Sequence, residues 1–399
     1  MAFEYYNQRL CLAAKGNFID IKQLAESYEG KVLYIYDQED VRSRLERIKN
    51  SFSGQVDIHY AMKANHNREI LKAVKNSGCG VDIVSGGELN WALDCGFTAD
   101  EIVFSGVGKT STEIQLAVEK QIKQINVESP QELERIGRIA LELGKTANVA
   151  FRMNPDVDAD THPYIKTGFR DNKFGMDESF LPALLEILSR YKKQLNLRGL
   201  TLHIGSQIKN TQSIFDAIKK TLPLIHHLRQ LGYNLETFDI GGGLGVDYES
   251  SNTEEELNRV DEFGPRVLSV LKDQKLRILV EPGRAVVARA GILIGEVQYI
   301  KKTPFKNFAI LNTGMHHLMR PCLYEAFHRI EPVVQDLNTN KLLYDIVGPI
   351  CESSDVVGFD RSLPVLNQGD LLAIFDVGAY GYVMSNSYNM HESPIELVL

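Results

Sequence analysis

The 399-residue sequence predicts an α/β plus β protein: a (β/α)8 TIM-like barrel over 38–284, and an antiparallel β-barrel or sandwich domain built from 1–37 and 285–399. Three observations lead there. Eight short, apolar, β-rich runs recur between residues 56 and 283. Most are separated by segments with apolar residues at three- and four-residue spacing, the period of an amphipathic helix. Past Arg284 the texture changes to alternating runs divided by turns, with few helical stretches.

In chain order, 32–36 reads as a strand that precedes the barrel and adds to the β domain, and 39–48 as the first helix. The eight barrel strands are expected at 56–64, 81–85, 102–105, 124–128, 148–154, 197–205, 237–243 and 277–283. Helices are expected at 69–76, 87–93, 113–120, 130–143, 180–191, 213–231 and 254–271. Pro130 after Ser129 suits a helix start, because the first turn leaves its N–H groups unpaired in any case. Gly144 and Gly232 suit helix ends. Strands of the β domain are expected at 290–300, 308–311, 342–347, 371–376 and 395–399. An open doubly wound sheet satisfies the same strand count, since counting strands does not establish closure.

Composition narrows the function classes. Hydrophobic residues make up 44% and charged residues 24%, which excludes disorder and a small disulfide scaffold. The net charge of −8 with no basic block disfavours nucleic acid and anionic membranes as partners, while leaving room for a local cationic pocket. Cys11, Cys79, Cys95, Cys322 and Cys351 are odd in number and form no C-x-x-C pair, so neither a disulfide framework nor a metal site is expected. Residues 1–10 lack an apolar signal core and no apolar run reaches membrane-span length, so the expected location is cytoplasmic.

A parallel barrel gathers its chemistry at the carboxyl ends of its strands. There the sequence places Lys63, Arg152 and Asn154, His203 and Ser206, the glycine run 241–245, and Glu281 to Arg284. A lysine ending an apolar strand is either a solvated loop residue or, desolvated, an amine for imine chemistry. The glycine turns after the seventh and eighth expected strands match the usual barrel phosphate site, where backbone N–H groups approach a phosphate closely. No G-K-[ST] follows, and G-x-G-x-x-G is not met in Rossmann context, which weakens ATP and NAD. Lysine, phosphate cradle and a carboxylate together suggest pyridoxal 5'-phosphate (PLP), with Glu281 at its ring nitrogen and His203 against its ring. Glu281 is open to a second reading, as an ion-pair partner of Arg284 or of another strand-end cation.

The chain resembles the diaminopimelate decarboxylases of the fold type III PLP enzymes, a group that includes ornithine decarboxylase and alanine racemase. The resemblance rests on Y-A-M-K-A-N (60–65), V-D-I-V-S-G-G-E-L (81–89), N-P-D-V-D-A-D-T-H-P-Y-I-K-T-G (154–168) and N-K-F-G-M (172–176). It continues through H-I-G-S-Q (203–207), G-G-G-L-G-V-D-Y (241–248), E-P-G-R (281–284), M-R-P-x-L-Y-E-A-F-H (319–328), G-P-I-C-E-S-S-D (348–355) and G-A-Y-G-Y-x-M-S (378–385). The chain departs from the family pattern at Leu311–Gly314, where D-A-G is usual, and after Asn389, where a basic R-P-R-like stretch is usual.

The resemblance implies Lys63 as the imine lysine and His203 as the residue stacked on the cofactor ring. It implies Ser206, Gly242, Gly243, Pro282, Gly283 and the Arg284 backbone around the cofactor, Glu281 at its pyridinium nitrogen, and Tyr380 near phosphate and substrate. Arg284, Arg320, Tyr324, Glu352 and Tyr380 would contact a diamino dicarboxylate substrate. Cys351 would be the proton donor, entering the partner subunit's site in a homodimer. The implied reaction is decarboxylation of meso-2,6-diaminopimelate at its D-centre to L-lysine. Its rivals are a sibling decarboxylase of another diamino acid or carboxylated polyamine, an amino-acid racemase of the same fold, and a non-catalytic PLP carrier.

Overall fold

The computed structural model describes residues 3–14, 17–157, 173–336 and 340–399. The D-A-D-T-H-P-Y-I-K-T-G part of the third family motif, 158–168, lies outside them, as does Asn172 of the fourth.

Eight parallel strands close into a barrel: Val56–Ala61, Gly80–Ile83, Ile102–Phe104, Gln124–Val127, Ala147–Met153, Leu195–Leu202, Thr237–Asp239 and Arg277–Val280. Closure is made where Ile278, Leu279 and Val280 pair with Val56, Asp57 and Ile58, which removes the open-sheet alternative. Several strands stop short of their apolar runs. The run 56–64 is strand only to Ala61, and Met62–Ala64 then turn as a 3-10 helix. The run 237–243 ends at Asp239, because Gly241 (φ +69°) and Gly243 (φ +103°) take left-handed conformations that no pleated strand contains. Lys63, the glycine run and Glu281–Arg284 therefore sit on loops above the rim.

Helices Arg68–Asn76, Gly86–Asp94, Ser111–Lys120, Pro130–Glu142, Leu181–Arg190, Gln212–Gln230 and Glu254–Leu271 follow the first seven barrel strands. Asn67, Ser85, Thr110 and Ser129 cap four of them by accepting first-turn amides that otherwise lack partners. After the eighth strand comes only the short helix Arg284–Val287. The vacant place in the ring is filled from ahead of the first strand, by Gln38–Ser51 packed between Arg68–Asn76 and Glu254–Leu271. Gln38–Ser51 and Glu254–Leu271 meet backbone to backbone: a Cβ on Gly264 would lie 2.3 Å from the Ser51 carbonyl.

The second domain is organised on the long strand Gly291–Lys302. Leu33–Tyr36 and Leu371–Phe375 flank its first half and Asn307–Leu311 its second, all antiparallel. The expected strand at 32–36 thus joins this domain. Two further pairings are parallel: Ile395–Val398 on Leu33–Tyr36, and Lys341–Val347 on Asn307–Leu311. Period-two alternation splits the sheet's faces. Leu33 and Ile35 join Leu10, Leu12 and Phe375 beneath a separate sheet of Phe3–Tyr6, Arg9–Ala14 and Asn17–Asp20, while Tyr34 and Tyr36 face the barrel-side core. A buried ion network ties the domains together beside the rim. Arg289 donates to Asp376 of the β domain at 3.0 Å, to Glu256 at 3.2 Å and to the Asp247 carbonyl at 2.6 Å. Glu256 also takes Arg44 at 2.8 Å. Among the described residues no helix is long and apolar enough to cross a membrane.

Candidate active site

A cavity of about 700 Å³ opens at the carboxyl ends of the barrel strands. Lys63, His203, Ser206, Gly242, Gly243, Glu281, Pro282, Gly283 and Arg284 line it from the barrel. Arg320, Tyr324 and Tyr380 close it from the β domain.

Lys63 stands deep in this cavity with its side chain 36% open to it. Its Nζ donates to Asp82 Oδ2 at 2.8 Å. Burial pulls the ammonium's pKa down, but Asp82, Tyr380 and Glu281 outweigh it and hold the group above its ordinary value. The amine is thus stored as a cation on a fully buried carboxylate, which can take up its charge and orient it.

Below Lys63 lies a polar layer that fills the barrel. Glu281 Oε1 accepts from Ser105 Oγ and from Asn126 Nδ2, each at 3.3 Å. Asn126 is aligned by Ser105 at 3.0 Å and Gln124 at 2.7 Å. Asp239, fully buried beside Glu281, accepts the Gly241 N–H through Oδ1 at 2.8 Å, and the two carboxyls each raise the other's cost of ionisation. Burial first, then the Asp239 and Asp82 charges, drive the Glu281 carboxyl well above its usual range. Three buried acids therefore surround one lysine, an excess of acceptors suited to a cationic ring N–H. Glu281 forms no ion pair with Arg284, and the strand-end cation that acts on it is Lys63.

The glycine loops approach one another too closely for side chains. A Cβ on Gly242 would lie 2.2 Å from the Glu281 carbonyl, and one on Gly243 2.3 Å from the Gly205 carbonyl. The Gly242 N–H donates to His203 Nδ1 at 3.2 Å, which leaves the ring proton on Nε2. Burial, then the Arg152 and Lys63 cations, hold His203 well below its ordinary pKa, so a neutral ring borders the cavity. Tyr380 is fixed beside Lys63 by its N–H to the Ala64 carbonyl at 2.8 Å, in a left-handed conformation (φ +58°). Arg152, at the end of the fifth strand, is committed to Glu128 at 2.5 Å.

Arg284 and Arg320 are 9% and 6% exposed, and neither meets a carboxylate among the described residues. Arg284 donates to Tyr248 Oη at 2.9 Å and Ser206 Oγ at 3.3 Å, and its Nε is buried without a partner. Arg320 donates to His328 Nε2 at 2.7 Å. Two buried cations facing one cavity without counter-charges call for an anionic ligand.

Cys351 and Glu352 are not brought to this cavity: both are exposed on the loop after Lys341–Val347, whereas Cys11, Cys79 and Cys95 are buried. Asp355 shapes that loop by accepting the Ile350 N–H at 2.7 Å and the Met315 N–H at 2.6 Å. Glu352 accepts from Tyr388 Oη at 2.5 Å. The two departures from the family pattern meet beside this loop. Thr313 is hydrogen-bonded to His317 Nδ1 at 3.0 Å, and His317 Nε2 to the Glu392 carbonyl at 2.9 Å.

Sequence reasoning missed Asp82, Ser105, Asn126, Asp239, Tyr248 and His328. The available signal was a lone polar residue inside an apolar strand run, as in V-D-I and Q-I-N-V.

Residues 38–288 match the family described as pyridoxal-dependent decarboxylase, pyridoxal binding domain. The diaminopimelate decarboxylase of Aquifex aeolicus is 40% identical over 381 residues, covering 96% of this chain and 89% of that protein. The crystal structure of Helicobacter pylori diaminopimelate decarboxylase complexed with L-lysine superposes with a TM-score of 0.88 at 39% identity, covering 95% of this chain and 94% of that one. The M. jannaschii diaminopimelate decarboxylase in complex with L-lysine gives a TM-score of 0.89 at 36% identity, covering 100% and 92%. A lysine, an acid pair and a glycine cradle in one barrel mouth, matched over nearly the whole length by these relatives, place the chain in the diaminopimelate decarboxylase family of pyridoxal-dependent decarboxylases.

Proposed function

We propose that this cavity decarboxylates meso-2,6-diaminopimelate at its D-centre, with the side chains dividing the work as follows. The chain is a PLP-dependent carboxy-lyase, and the reaction yields L-lysine and CO2, the last step of lysine biosynthesis. The residues present fit the cofactor: a primary amine, an acid pair for a ring nitrogen, and two loops in which only glycine is accommodated. When bound, PLP supplies the electron sink into which the bond to the departing carboxylate empties.

Lys63 would hold the cofactor through Nζ, and the buried Asp82 carboxylate, which accepts from that amine at 2.8 Å, would orient it. Glu281, aligned by Ser105 and Asn126, would face the ring nitrogen and favour its protonated form. His203 presents a neutral face to the ring. Ser206, Gly242, Gly243, Pro282, Gly283 and the Arg284 backbone would hold the phosphate, with Tyr380 lining the same cavity. Arg284 and Arg320, with Tyr324 and Tyr380, bind the L-centre, whose carboxylate suits the planar guanidinium fork. Cys351 donates the proton to the carbon that has lost CO2, and Glu352 takes the ammonium of the L-centre. Their exposure outside the chain's own cavity supports delivery by a partner subunit in a homodimer. We also propose the domain division 38–284 against 1–37 with 285–399, and a cytoplasmic location.

The observation that carries the reading is the pair of buried guanidiniums, neither ion-paired to a carboxylate among the described residues, in the cavity that holds Lys63. Substrate profiling tests it. CO2 release by the PLP-loaded protein should be fastest, as kcat/KM, on meso-diaminopimelate; faster release from L-lysine, ornithine or carboxynorspermidine would overturn it.

A further inference from the structure

We infer that Tyr248 and His328 are positioning residues that set selectivity for a substrate with a carboxylate at its far end, by holding Arg284 and Arg320 together without neutralising either. The inference rests on the reading of those arginines as carboxylate ligands.

Two buried guanidiniums repel each other and need acceptors for their N–H groups. A carboxylate would satisfy both needs, but it would cancel the charge that a ligand must meet. This site uses neutral acceptors instead. Tyr248 touches both cations: its hydroxyl accepts from Arg284 Nη1 at 2.9 Å, and its ring lies 4.4 Å from the Arg320 guanidinium carbon. The electron-rich ring face offers attraction without compensating charge.

His328 supports the other side and is fully buried. Its Nδ1 donates to the Phe375 carbonyl at 2.8 Å, so Nε2 carries the lone pair that accepts from Arg320 at 2.7 Å. Protonation at Nε2 would destroy that acceptor, and burial with the Arg320 charge keeps the ring neutral. The His328 ring in turn stands edge-on against Tyr248, with centroids 5.3 Å apart, so the two supports brace each other. Tyr248 itself is set by the ion network at the domain junction, where Arg289 holds the Asp247 carbonyl at 2.6 Å.

Two ligand pairs that differ only at the far end expose the effect. L-lysine retains the far carboxylate and cadaverine lacks it; meso-diaminopimelate and D-lysine differ in the same way. In the PLP-loaded enzyme, inhibition constants for L-lysine and cadaverine give a selectivity ratio that is independent of turnover. Tyr248→Phe and His328→Leu should each shrink that ratio about tenfold and raise KM for meso-diaminopimelate more than they lower kcat. His328→Gln, which keeps a donor and an acceptor, should recover most of the ratio. An unchanged ratio in both Tyr248→Phe and His328→Leu, with the cofactor's absorption intact, refutes the inference, as does an equal loss of affinity for L-lysine and cadaverine. Arg320→Met separates the two levels. If the ratio survives that change, the reading of the arginines fails; if it collapses there but persists in Tyr248→Phe and His328→Leu, only the present inference fails.

Discussion

Replacing Arg320 by Met should separate binding from stability, because this cation has no partner of opposite charge among the described residues. Met nearly conserves the apolar stem while deleting the guanidinium. Removing one member of a buried, charge-assisted carboxylate contact costs about 3–5 kcal/mol. At about 1.4 kcal/mol per tenfold change, kcat/KM for meso-diaminopimelate should fall by roughly a hundredfold to a few thousandfold. Stability should move the other way or stay level. The variant loses a ring contact with Tyr248 worth about 1–2 kcal/mol and leaves His328 Nε2 unpaired at a cost of about 1–3 kcal/mol. Against this, it no longer buries a charge whose pKa burial already lowers, and it no longer opposes Arg284; that relief amounts to several kcal/mol. Coupled assay of lysine production gives the first quantity, and urea unfolding of the cofactor-free protein the second. The reasoning fails if kcat/KM stays within threefold of the parent, or if the urea midpoint drops clearly alongside activity.

Two further outcomes are expected. Asp239 has its carboxyl pKa pushed from 3.8 up to about 6, by burial and the nearby Asp82 charge against hydrogen bonds from Glu281 and Gly241. The folded state then holds a proton that the unfolded chain releases, so this group's contribution to stability is complete below about pH 4 and is lost as pH rises to about 6. In Asp239→Asn, urea midpoints of the cofactor-free protein should therefore fall less between these pH values than in the parent, and parallel curves would show the carboxyl pair to be misread. Mixing inactive Lys63→Ala with inactive Cys351→Ala should restore about a quarter of parental activity, since half the dimers are hybrids and each hybrid has one complete site. No recovery after subunit exchange would place Cys351 outside a shared site.

What was legible in the sequence follows from geometry. In a parallel barrel the strand ends converge on one rim, so Lys63, His203, the glycine run and Glu281–Arg284 could be grouped from one-dimensional order alone. Closure could not be read, because it depends on the pairing of Arg277–Val280 with Val56–Ala61 across most of the chain. Nor could the replacement of an eighth outer helix by Gln38–Ser51, which precedes the barrel it completes. Asp239 was invisible for a similar reason, and Asp82, although inside the motif 81–89, gave no sign of its role. Each is one polar residue in a short strand, and only the neighbours brought in by the barrel give it a role. Tyr248 and His328 lay within motifs already singled out, but their importance lies in contacts between a barrel loop and the β domain. The sheet at 3–20 escaped notice because its strands are four to six residues long and only partly alternating.

The most direct measurement is the reaction of the PLP-loaded enzyme with meso-diaminopimelate in D2O, with the product analysed for chirality and deuterium. The account predicts one CO2 per L-lysine, with a single non-exchangeable deuterium at the carbon that carried the departing carboxylate. Formation of D-lysine, or deuterium entering the α-carbon of diaminopimelate without loss of CO2, would contradict it.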